Sequence, residues 1–275
     1  MENIRPPAVA GMFYEADPAR LAQTVATLLD QAEPADVQGS LRGLVVPHAG
    51  YMYSGSTAAA GYRLLKGTQF DVVVIVAPSH RDYFEGAAIY PGAGYRTPIG
   101  DVAIEPEVRE ELVAGSRVLA MKEEGHRTEH SVEVQLPFLQ KVLGDFSFVP
   151  IVMGNQARGT CELLAADLVR TLRGRKALLL ASSDLSHYHP YDLALSLDRI
   201  VLKDVEAFDE ESLLMNLEND SAEACGGGPI VVVMKALKEL GANRSQILFY
   251  CNSGDVTGKK DGVVGYLSAA FTQKN

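Results

Sequence analysis

Val72-Val73-Val74-Ile75-Val76-Ala77-Pro78-Ser79-His80 decides the reading of this chain. Its apolar residues, nearly all β-branched, run without polar alternation, the pattern of a strand buried on both faces. Strands of that kind belong to sheets covered by helices on both sides. The run stops at a proline, and Ser79 and His80 follow where a parallel sheet collects its ligand-binding loops, beyond the carboxyl ends of its strands.

Two further stretches end in the same way. Leu44-Val45-Val46 runs into Pro47-His48-Ala49-Gly50, and Leu178-Leu179-Leu180-Ala181 runs into Ser182-Ser183-Asp184-Leu185-Ser186-His187. Helical patterns lie between the strands. Asp17-Pro18 reads as an N-cap followed by an N1 proline, with Leu21, Val25, Leu28 and Leu29 at helical spacing after it. Further helices are expected over 56–65, 106–114, 132–142, 161–172, 193–208 and 211–217, and one is opened by Pro229. Pro137 should kink the 132–142 helix or mark its true start. Weaker strands are expected over 86–90, 118–121, 148–152, 246–250 and 263–267, with a Gly/Pro-rich connection through Gly100. No repeat or linker divides the chain. The alternation predicts one α/β domain over 1–275, a three-layer α/β/α sandwich with a mixed, largely parallel central sheet.

Composition narrows the function. With 275 residues, 25 Lys+Arg against 35 Asp+Glu and a formal charge of −10, no basic run is available to bind nucleic acid or an anionic membrane surface. No stretch approaches the roughly 20 apolar residues that a membrane span needs, and the first residues carry no export signal. Three widely spaced cysteines, 161, 225 and 251, form neither a disulfide framework nor a CxxC zinc site. A cytoplasmic protein is the natural expectation.

The strand-end histidines carry the chemistry. Imidazole is the commonest transition-metal ligand, and two histidines with a carboxylate or thiolate make an open site for substrate or dioxygen. His48, His80 and His187 each follow a strand, though any one of them alone is also explained as a loop residue bonded to backbone. His130 in Glu129-His130-Ser131-Val132-Glu133 either stays exposed near a helix start or points into the cleft. His126 sits in a charged loop and is expected to be solvated; His189, before Pro190, reads as a helix-entry residue. Cys225 in Ala224-Cys225-Gly226-Gly227-Gly228-Pro229 stands just before a helix, whose positive end lowers a thiol pKa and favours thiolate. The same glycine turn, from Gly226 on, could present free N–H groups to an anion. Cys161 and Cys251 lie in apolar elements and are expected in the core. Tyr51, Tyr53 and Arg81 follow the first two histidines and are candidates to line a pocket. No GxSxG, HExxH, P-loop or dinucleotide fingerprint is present.

These residues, taken together, resemble the MEMO family (mediator of cell motility). The matching segments are Arg5-Pro6-Pro7-Ala8-Val9-Ala10-Gly11-Met12-Phe13-Tyr14, Pro47-His48-Ala49-Gly50-Tyr51 with Tyr53-Ser54-Gly55, Pro78-Ser79-His80, Glu129 to Glu133 with Leu136-Pro137, Ser182-Ser183-Asp184 with His187, and Cys225-Gly226 with Pro229. That family is similar in fold to the LigB-type class III extradiol dioxygenases, non-haem iron enzymes that open catechol rings. The resemblance implies His48 and His80 as metal ligands and His187 as the catalytic histidine. Cys225 stands in place of the dioxygenases' glutamate, a soft thiolate for a hard carboxylate, which argues against ring cleavage and for iron or copper, with zinc acceptable in purified protein. On this reading the protein is a metal-dependent oxidoreductase, with Asp184 orienting His187 or adding a ligand, and His130 and Glu133 lining the site. The alternative is a binding module for an anionic metabolite or phosphotyrosine-type peptide, a role the resemblance implies for animal members and the acidic charge disfavours. For prokaryotic members it also implies a functional link to radical-SAM and AMMECR1-like proteins, with a small molecule or peptide in the cleft.

Overall fold

The computed structural model describes residues 3–274. Along the chain come β1 (Ile4–Arg5), α1 (Pro18–Gln31), β2 (Ser40–Val46), α2 (Tyr51–Tyr62), β3 (Val72–Pro78), β4 (Ala87–Ile89), β5 (Gly94–Thr97) and β6 (Gly100–Ile104). Next are α3 (Pro106–Val113), β7 (Leu119–Met121), α4 (Leu136–Leu143), β8 (Ser147–Met153), α5 (Arg158–Leu172), β9 (Ala177–Ser182) and β10 (Asp184–His189). Then follow α6 (Tyr191–Glu206), α7 (Glu210–Glu218), α8 (Gly227–Glu239), β11 (Arg244–Asn252), α9 (Ser253–Thr257) and β12 (Val263–Gln273). Among the described residues, no helix is long and apolar enough to cross a membrane.

All twelve strands join one mixed sheet, with the order β1-β5-β6-β8-β3-β9-β2-β12-β10; β4 branches from β8, β7 from β4, and β11 lies along β12. The central run from β6 to β2 is parallel. Antiparallel pairs flank it: β5 with β6, β4 with β8, and β12 with β2, β10 and β11.

β3 shows why the fold takes three layers. Every residue from Val72 to Pro78 is buried. Val72, Val74 and Val76 enter one core with α3, α5, α6, α7 and α8, whereas Val73, Ile75 and Ala77 enter the other with α1, α2 and α4. Each Val or Ile so buried contributes about 1.5–3 kcal/mol of transfer free energy, and only helices on both faces recover it. Asp17 caps α1 as its sequence predicts, accepting from Arg20 N at 2.9 Å.

Local differences have local causes. The connection expected through Gly100 is a short hairpin of β5 and β6, hidden in sequence because its strands are brief and glycine-bearing. α2 begins at Tyr51, five residues before the expected start, since Gly50 serves as its N-cap. Pro137 lies in the first turn of α4, after a short tight turn at Glu133–Gln135, and so marks the helix start rather than a kink. Asp184–His189, read as loop, is the edge strand β10 paired with β12 through two register shifts.

Candidate metal centre

The parallel run places three strand ends side by side. β9 lies between β2 and β3, with Val46 level with Ser182 and Val76 level with Ala181. The strands that deliver His48 and His80 are therefore separated by β9. His130 arrives from the loop before α4, and Cys225 from the turn before α8. The three histidine rings cluster: His48–His80 centroids are 4.9 Å apart, His48–His130 5.4 Å, and His80–His130 4.7 Å and stacked. Hence His130 points into the cleft. Ligand atoms of His48, His80 and Cys225 all lie within 4.8 Å of one another.

Hydrogen bonds fix which ring nitrogen faces inward. Ser182 Oγ donates to Ser131 O at 2.7 Å and accepts from Gln135 Nε2 at 2.8 Å, so at its 2.9 Å contact with His48 Nδ1 it can only accept. His48 therefore carries its proton on Nδ1, and its basic Nε2 faces Cys225 Sγ at 3.1 Å. His80 Nδ1 meets Glu129 Oε1 at 3.0 Å and His130 Nδ1 meets the same oxygen at 3.1 Å. A carboxylate accepts only, so both rings are protonated at Nδ1 and leave Nε2 free.

Glu129 is the residue that sequence reasoning passed over, although it was in view beside His130. Its carboxylate also takes His80 N, His130 N and Ser131 N, at 2.5, 2.8 and 2.9 Å. Burial works to raise its pKa, but the hydrogen bonds from His130 and His80 outweigh burial and hold it below the ordinary carboxylate range.

Burial governs the other titrating groups. The His48 pKa is lowered by burial and then by the neighbouring His80 and His130, so the ring is neutral. Burial pushes the Cys225 thiol well above its ordinary value, and the neighbouring Asp184 adds to this. The expected helix-end effect is overridden because the sulfur is enclosed beside an acid. Asp184 is raised by burial as well. It does not orient His187: its Oδ1 accepts from His48 N at 2.8 Å and Ala49 N at 3.3 Å, and its Oδ2 stands 4.0 Å from His48 Nε2. His187 is half-buried further along β10, its backbone N donating to Glu223 at 3.2 Å.

Several expected lining residues are elsewhere. Glu133 is wholly buried and bonded to Arg5, Ala8 N, Val9 N and Tyr14 OH, which makes it an anchor for residues 5–14. Tyr51 is core: it packs on Phe138, and its hydroxyl donates to Val134 O at 2.6 Å. Tyr53 and Arg81 are exposed. Gly226 is required by packing, since a Cβ there would sit 2.3 Å from Ser182 O. Its N–H donates to Ser183 Oγ, and that of Gly228 to Gln156 Oε1, so these two amides are not available to an anion. His126 is fully buried rather than solvated, and His189 pairs with Glu223 at 2.6 Å. Cys161 is in the core as expected, whereas Cys251 is half-buried against Thr57.

The donor set suits a metal. Two imidazoles and one sulfur make a soft N,N,S combination favoured by copper, zinc or iron, and a cation among them would favour the thiolate.

Comparison with known proteins agrees with the sequence resemblance. The chain matches the Memo-like protein family over residues 5–270. It is 39% identical to a MEMO1 family protein of Sulfolobus acidocaldarius, over 98% of this chain and 99% of the relative. A MEMO1 family protein of Methanocaldococcus jannaschii is 37% identical over 98% of this chain and 99% of its own length. Among solved structures, an uncharacterized protein from Escherichia coli K12 superposes with a TM-score of 0.57 at 14% identity, covering 84% of this chain and 99% of that one, a likeness of fold alone.

Proposed function

Because this chain belongs to the Memo-like protein family, we propose that its strand-end cleft is a mononuclear metal site for copper or iron, with His48, His80 and Cys225 as ligands, in a redox protein of dioxygenase-like architecture. The observation that carries this reading is the convergence of ligand atoms from His48, His80 and Cys225 within 4.8 Å of one another, with His48 Nε2 at 3.1 Å from the sulfur. When bound, copper or iron supplies Lewis acidity and one-electron chemistry.

The chain's own residues supply the rest. Glu129 holds His80 and His130 in the Nδ1–H tautomer, in the manner of carboxylate–histidine–metal triads. Asp184, its carboxyl pushed toward the protonated form by burial, can hold a proton at Oδ2 beside the ligands. His130, packed on the His48 and His80 rings, is assigned as an acid–base group for a small-molecule ligand, with His187, a charge neighbour of His48, as its partner. Phe13 packs against His130, with ring centroids 4.7 Å apart. The thiolate in place of a third hard ligand argues against catechol ring opening.

Anaerobic reconstitution with Fe(II) or Cu(I), followed by metal quantitation, tests the assignment. Wild type should retain near-stoichiometric metal and His80→Ala far less; equal low content in both would overturn it.

A further inference from the structure

Arg5 is a large polar residue with only 1% of its surface exposed. β1 pairs it with Tyr95 of β5, and its guanidinium lies 4.5 Å over the Tyr95 ring. All three of its nitrogens donate: Nε to His126 O at 2.5 Å, Nη2 to Glu129 O, and Nη1 to Glu133 Oε2 at 2.6 Å and Pro6 O at 3.2 Å. The first three acceptors belong to one loop, residues 126–133. Arg5 thus grips that loop at both ends and at the carbonyl of Glu129, the residue whose carboxylate orients His80 and His130.

We propose that Arg5 is a positioning residue for the metal centre: by fixing the Glu129 backbone it sets where the Glu129 carboxylate meets the two imidazoles. This rests on the metal reading above. The hydrogen bonds at stake, 2.5 to 3.1 Å long, do not survive an ångström of displacement. Nothing else among the described hydrogen bonds reaches the Glu129 carbonyl. The planar fork matters more than the charge, because lysine can pair with Glu133 yet cannot also span the two carbonyls.

Cobalt(II) titration of wild type, Arg5→Lys and Tyr14→Phe tests this, together with nitrogen-15 NMR of the histidine rings recorded without added metal. Arg5→Lys should weaken cobalt binding about 10- to 100-fold, the usual range for disturbing groups that orient metal ligands, and should scramble the Nδ1–H tautomers of His80 and His130. Tyr14→Phe removes a bond to Glu133 but none to the Glu129 carbonyl, so it should change neither readout. Wild-type affinity and tautomers in Arg5→Lys would overturn the proposal, as would an equal loss in Tyr14→Phe. If Arg5→Lys does not fold, Arg5→Gln combined with Glu133→Gln removes the buried charges together and is read in the same way. Should wild type bind no cobalt, the metal reading fails, and the tautomers alone decide the role of Arg5.

Discussion

Glu129 and Glu133 leave the same loop, and both carboxylates are buried, yet they face different partners. Glu129 is met by His80, His130 and Ser131, donors that belong to the cleft. Glu133 is met by Arg5, Ala8, Val9 and Tyr14, donors from the start of the chain. One carboxylate accepts hydrogen bonds from two imidazoles of the cleft and from their backbone; the other neutralises a cation in the core. Burial and residue type are alike, so the difference in role comes from the partners alone. Loss of Glu133 should fall on stability, and loss of Glu129 on ligand geometry.

The largest expected effect is therefore Glu133→Ala, which strands a buried guanidinium, two backbone N–H groups and a phenol. Breaking one side of a buried pair costs about 3–5 kcal/mol, read as a fall in the urea midpoint at unchanged slope. A loss under about 1 kcal/mol would mean that the first residues are not anchored there. Glu129→Gln should come next. The amide keeps the shape, but its NH2 must face imidazole or backbone donors, so metal affinity should drop about 10- to 100-fold with little loss of stability. If Glu129→Gln bound metal as tightly as wild type, or unfolded as readily as Glu133→Ala, the contrast between the two would collapse.

Sequence could not have separated these roles. The apolar run at Val72 announced the sandwich because a strand buried on both faces leaves a local signature, and Asp17-Pro18 announced α1 because caps are local too. His48, His80 and Cys225 were legible from their positions after strands and before a helix, strengthened by the family resemblance. Glu129 and Glu133 share one loop, and only its backbone path shows which one turns toward the histidines. Arg5 meets Glu133 across 128 positions of sequence, a pairing that no spacing reports. The Cys225 thiol was misjudged for a related reason: the helix-end effect is local, whereas the burial that overrides it comes from the sheet, the turn and Asp184 together. β10 was missed because Asp184-Leu185-Ser186-His187-Tyr188-His189 has polar residues on both faces and bulges against β12.

Acid gives the most selective test of the loop, through its third buried group. His126 accepts at Nδ1 from Tyr95 OH at 2.6 Å and donates from Nε2 to Ala88 O at 3.1 Å, while its own carbonyl is held by Arg5. Burial lowers its pKa from 6.5 to about 3. Since the folded value is depressed, the unfolded chain takes up a proton first as pH falls. The stability that neutral His126 confers is complete above pH 6.5 and is lost progressively down to about pH 3, with a slope approaching about 1.4 kcal/mol per pH unit for one proton. His48 adds loss in the same direction, and Glu129, held below the ordinary carboxylate range, extends it at lower pH. Urea unfolding at stepped pH should show this slope in wild type, and His126→Gln, which has no proton to gain, should flatten it by about one proton's worth. An unchanged slope in His126→Gln would show that the loop opens to water around its histidine in acid, and that Arg5 does not keep the segment bearing both glutamates closed.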